Sequence, residues 1–142
     1  MFCREQVARL TRRYEEIRSM GAEICAIGNG APPFAQAFRE ETGVTFPLYV
    51  DPERDAYRAF ALRRRVTDML NPHLFLAARR AQKAGFHQTA VRGDALQLGG
   101  VFILDASGAT HFRHVERFAG DLADFEEIMA TLIRLREARP RG

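Results

Sequence analysis

The stretch "GGVFILDASGATHFRHV", residues 99–115, constrains the chain more than any other. Val101 to Leu104 is an unbroken apolar run, as expected of a strand covered on both faces. Asp105–Gly108 then supplies turn residues, and a second β-rich run follows, so the segment reads as a β-hairpin. Asp121 caps a closing helix whose apolar stripe is Leu122, Phe125, Ile128, Met129, Leu132 and Leu135. A chain ending this way must lay a helix across an antiparallel pair. The last residues, "REARPRG", are expected to fray.

Upstream, helical and strand patterns alternate. From Glu5 to Ser19, the residues Val7, Leu10, Tyr14 and Ile17 fall at helical spacing, and Gly21 ends the helix. "AEICAIGNG" reads as a buried strand over Ala22–Ile27 with Cys25 as a core residue, closed by a glycine loop. "APPFAQAFREETG" is a second helix with Phe34, Ala37 and Phe38 on one face. "TFPLYV" is a short strand, with Pro47 at an edge or at its first paired position. "DPERDAYRAF" opens a third helix with Asp51 as N-cap, Pro52 at N1, and Ala56, Tyr57 and Phe60 inward. Between Arg63 and Asp94 the pattern loosens. Asn71 and Pro72 start a helix that Leu74, Phe75 and Ala78 carry to Gly85, and a loop follows. With 142 residues the chain is expected to form one domain, of the α/β class. Its sheet is expected to be mixed, since strands joined by helices run parallel and a hairpin runs antiparallel.

Several function classes recede on these grounds. The net charge of +3 comes almost wholly from arginine, Lys83 being the sole lysine. Arg63–Arg65 and Arg79–Arg80 form a basic region without the interleaved aromatics of a single-strand binder, so a solvated face is expected and no nucleic-acid partner. No apolar run approaches the ~20 residues of a membrane span, and no secretory leader is visible. No membrane partner and a cytoplasmic location are the expectation. No metal and no cofactor are expected. The two cysteines lack zinc-ligand spacing, and His111 and His114 sit three apart on a strand, pointing to opposite faces. "GNG" at 28–30 lacks the rest of a nucleotide loop and reads as a turn.

The remaining chemistry lies at the start, where Cys3 and Arg4 head the first helix. A helix N-terminus favours a thiolate. "FCREQVARL", then "GAEICAIGNG", "FPLYVDPERDAYRAF", "GDALQLGGVFILDASG" and a closing amphipathic helix resemble the peroxiredoxin-like AhpC/TSA type 2 family. That family includes selenoprotein U-like proteins and the prostamide/prostaglandin F synthase. The resemblance runs from Phe2 to about Leu135 and is weakest between Arg63 and Arg92.

It implies a thioredoxin-like fold, with a mixed sheet flanked by helices, and a thiol-dependent antioxidant oxidoreductase acting on peroxides or disulfides. It implies Cys3 as a resolving or sole redox thiol, Arg4 as a supporting charge, and Gly99 and Gly100 in a loop facing the substrate, the other reading of the two glycines being a plain strand-entry turn. The family usually carries Cys-x-x-Cys-Arg after an apolar strand. Cys3 and Arg4 match its second cysteine and arginine, so the expectation is a chain lacking the family's N-terminal strand and first cysteine. A thiol reductant of thioredoxin or glutathione type is the implied partner, and self-association into a homodimer is a further expectation. The alternative is a non-catalytic thioredoxin-like module binding through its exposed sheet and basic region.

Overall fold

The computed structural model describes residues 2–64, 76, 79, 80, 83 and 97–139, with the backbone alone at residues 2 and 3. It begins with helices α1, Phe2–Arg12, and α2, Tyr14–Ser19, where the periodicity predicted one continuous helix. The break falls at Arg13 (φ −113°, ψ 11°). Just before it, the Thr11 hydroxyl donates to the Val7 carbonyl at 2.8 Å, a back-bond of the kind that bends helices. The Arg13 N–H reaches only to the Leu10 carbonyl, tightening the turn. Gly21, at φ 79°, then ends α2, and the Ala22 N–H closes back on the Ile17 carbonyl.

Strand β1 is Ala26–Gly28, shorter than the predicted Ala22–Ile27. It pairs in parallel with β2, Leu48–Val50, matching Ala26 with Leu48, Ile27 with Tyr49 and Gly28 with Val50. Cys25 corrects the sequence reading: it precedes the strand and is exposed. Ala22, Ile24 and Ala26 are half-buried while Glu23, Cys25 and Ile27 face outward. The two-residue period of an extended chain thus puts Cys25 on the outer side.

Helix α3, Pro32–Thr42, joins the two strands, opened by its prolines and closed by Gly43 at φ 64°. It buries no residue fully, and Phe34, predicted inward, is exposed. Helix α4 is Asp55–Ala59, and the predicted placement of Pro52 at its first position is corrected. Pro52 lies in the preceding turn. Asp51 still serves the helix, its carboxylate accepting from the Asp55 and Ala56 N–H groups at 3.0 and 2.8 Å. That clasp holds Arg54 at φ 61°, in the left-handed region a side chain disfavours.

The hairpin is β3, Gly100–Leu104, and β4, Thr110–Val115, with a register shift at Ile103/Leu104. Asp105 organises the turn by accepting from the Ser107 and Ala109 N–H groups, and Gly108 takes φ 86°. Val101, Phe102 and Ile103 are half-buried rather than covered on both faces. The closing helix α5 is Phe125–Glu137, capped by Asp124 and not by the predicted Asp121. Asp121 instead accepts from the Arg117 backbone and side chain, both at 3.0 Å.

The protein has the α/β, thioredoxin-like class of fold. Among the described residues its parallel and antiparallel ladders form separate two-stranded sheets rather than one continuous ladder. Among the described residues, two apolar clusters hold it. One gathers Ile17, Met20, Ala123, Ile128, Met129 and Leu132, with Val101, Ile103 and Phe112 of the hairpin against it. The other centres on Tyr14, Val44 and Phe46, next to Ala26 and Leu48. Leu10 and Ile24 pack against both. The helix start predicted at Asn71–Pro72 lies outside the described residues.

Candidate functional site

The first turn of α1 carries Cys3, Arg4 and Glu5. The backbone of Cys3 is helical, and its thiol lies outside the described atoms. Arg4 is largely covered, and its guanidinium meets Glu41 of α3 at 2.5 Å. The sequence-predicted supporting charge is thus also a tie between α1 and α3.

Behind Arg4, the helix buries polar groups that the sequence reading missed. Glu5 is 2% exposed, and one carboxylate oxygen takes Arg9 at 3.0 Å and Arg80 at 3.3 Å. Its other oxygen has no hydrogen-bond partner among the described residues, nor has the side-chain amide of the buried Gln6. Buried polar atoms without partners typically cost about 1–3 kcal/mol each, so this turn is held together at some expense. An Arg9–Glu5 pair could have been read from the four-residue spacing. The Arg80 contact could not, because no local pattern links residues so far apart in the chain.

Gly99 and Gly100 lie where the chain enters β3. The Gly99 N–H donates to the Glu116 carboxylate at 3.2 Å, and the Glu116 N–H returns a bond to the Gly99 carbonyl at 3.1 Å. Burial pushes the Glu116 carboxyl above its usual range, and the Gly99 N–H only partly offsets this. Gly100 pairs with Val115, and a Cβ there would sit 2.6 Å from the His114 carbonyl oxygen and 2.8 Å from a Leu62 methyl. Close packing around β3 therefore requires glycine at position 100, whereas a Cβ at Gly99 would meet only the Glu116 carboxylate at 3.2 Å.

His111 and His114 have separate partners. His111 pairs with Asp105 at 2.7 Å, which holds that carboxyl well below the ordinary carboxylate range. His114 contacts the Asp121 carbonyl at 2.6 Å. Among the described residues no helix is long and apolar enough to cross a membrane.

Comparison with known proteins adds two findings. Residues 9–117 match the family model described as AhpC/TSA antioxidant enzyme. The match begins after Cys3 and Arg4, within α1. The chain is also 25% identical over 127 residues to "Peroxiredoxin-like 2C" of Takifugu rubripes. That similarity covers 80% of this chain and 56% of the relative, so the chain spans little more than half the relative's length.

Proposed function

This chain belongs to the AhpC/TSA antioxidant-enzyme family, and on that premise we propose that it is a thiol-dependent oxidoreductase reducing peroxides or disulfides through Cys3. The observation that carries the reading is the place of Cys3 in the first turn of an 11-residue helix. There, the positive end of the helix dipole favours a thiolate. Arg4, fixed by Glu41, adds a positive charge to the same turn.

The Cys3 thiolate attacks one peroxide oxygen and the O–O bond breaks. Cys3 becomes a sulfenic acid, and the leaving oxygen takes a proton and departs as water or an alcohol. A reductant thiol condenses with the sulfenic acid, releasing water and forming a mixed disulfide. A second reductant thiol attacks that bond, returns Cys3 as a thiol and leaves as the reductant's disulfide. A disulfide substrate enters at the mixed-disulfide stage. The Gly99–Gly100 loop would face this substrate, and a reductant of thioredoxin or glutathione type in the cytoplasm would supply the electrons.

The second reading is a thioredoxin-like binding module. It is favoured by the outer face of the parallel pair, where Ile27 and Tyr49 stand side by side, 39% and 58% exposed. Thiol reactivity separates the readings. In a Cys25→Ser background, the oxidoreductase predicts that Cys3 alkylates with a midpoint below the ~8.5 of a free thiol and gains one oxygen from peroxide. Arg4→Ala should raise that midpoint. An ordinary midpoint with no oxygen gained would leave the binding module as the better account.

A further inference from the structure

A cleft of about 560 Å³ opens between α1 and the first turn of α5. Its walls bring together four arginines, Arg9, Arg12, Arg13 and Arg80. The carboxylates among its lining residues are Asp124 and Glu126. Asp124 is already engaged, capping α5 through bonds from the Glu126 and Glu127 N–H groups. Leu122, Ala123 and Phe125 supply the apolar part.

Drawing four like charges together is unfavourable unless something offsets it. Part of the offset is visible. Glu5 holds Arg9 and Arg80 from beneath, Arg80 also donates to the Gly120 carbonyl at 3.1 Å, and Arg13 forks onto Glu16. Arg13 in addition lies over the Phe125 ring, 5.5 Å from its centre. Arg12 has no such relief: among the described residues it has no ion-pair or hydrogen-bond partner. Glu5 is a single carboxylate shared by two arginines, so their remaining N–H groups are left for another acceptor. Arginine forks of this kind suit planar or tetrahedral oxyanions. The cleft is of the size that takes a small molecule.

We propose that this cleft binds a small molecule bearing two or more anionic oxygen groups, phosphate or carboxylate, with Arg12, Arg9 and Arg80 as its principal contacts. Glu5 acts as a positioning residue, keeping Arg9 and Arg80 side by side. Binding here calls on neither thiol: Cys3 lies six residues, about 9 Å of helix rise, before Arg9.

Titration calorimetry of the full chain with inorganic pyrophosphate and, separately, with citrate tests the site. Saturable binding of either probe is expected, weakening as salt is raised from low concentration to about 150 mM. The tighter probe identifies phosphate or carboxylate as the natural group. Arg12→Gln, which disturbs no internal pair, should weaken binding at least tenfold, and Arg80→Gln should do likewise if it folds. Arg58→Gln, on α4, should leave binding unchanged. No saturable binding of either probe, or binding unaffected by Arg12→Gln, would overturn the proposal. Neither thiol enters the readout, so this result stands apart from the fate of the oxidoreductase reading.

Discussion

Glu116 and the two glycines beside it show how tightly single residues are specified at the start of β3. Burial raises the Glu116 carboxyl above its ordinary value of 4.5, so ionising it costs more in the folded state than in the unfolded. Its favourable share of stability is therefore complete below the unfolded value and is lost as pH rises through the folded one. Glu116→Gln keeps an acceptor for the Gly99 N–H and removes that penalty. Thermal melts should show the variant more stable than the parent at pH 7, with the two converging near pH 4. The glycines should differ from each other. Gly100→Ala drives a Cβ against the backbone oxygen of His114, which cannot swing aside, and should destabilise by about 1–3 kcal/mol in denaturant titration. Gly99→Ala meets only the Glu116 carboxylate, at 3.2 Å, and that side chain can give way. Its cost should be smaller and should vanish largely in the Glu116→Ala background.

Among the elements, those shaped by local chemistry were legible and those shaped by distant contacts were not. The hairpin follows from an apolar run and an Asp–Ser–Gly turn, which act within a few residues. The helices' existence follows from periodicity, yet their caps depend on competition. Asp121 and Asp124 look alike in sequence, but Arg117 claims the first and leaves the second to cap α5. The N-cap predicted at Asp51 is corrected in the same way: Arg54 holds that position, and Asp51 reaches past a turn to accept from the Asp55 and Ala56 N–H groups. Asp51→Ala should cost about 1 kcal/mol, in the range of a lost cap, and circular dichroism melts can read it. At the candidate site, the thiol at a helix start was legible because helix starts have local signals. The buried Glu5–Arg80 link and the arginine cleft were not, since they join residues far apart along the chain.

At the scale of the whole molecule, the question is whether two small sheets that share no described hydrogen bonds make one cooperative unit. A pair of short strands is barely stable alone, so each sheet must draw its stability from packing. The packing is shared. Phe46, 1% exposed, anchors the cluster under β1 and β2 and meets Tyr14 edge-on, with ring centres 5.5 Å apart. Leu10 and Ile24 touch that cluster and also the one under the hairpin and α5. Loss of Phe46 should therefore be felt on both sides. Phe46→Ala is expected to cost about 3–5 kcal/mol. Hydrogen exchange under native conditions can then locate the loss. Through Leu10 and Ile24, amides of β2 and of β3–β4 should lose protection by similar factors. If β2 alone opened while the hairpin and α5 kept their protection, the two clusters would be separate folding units, and the bridge through α1 would be packing without coupling.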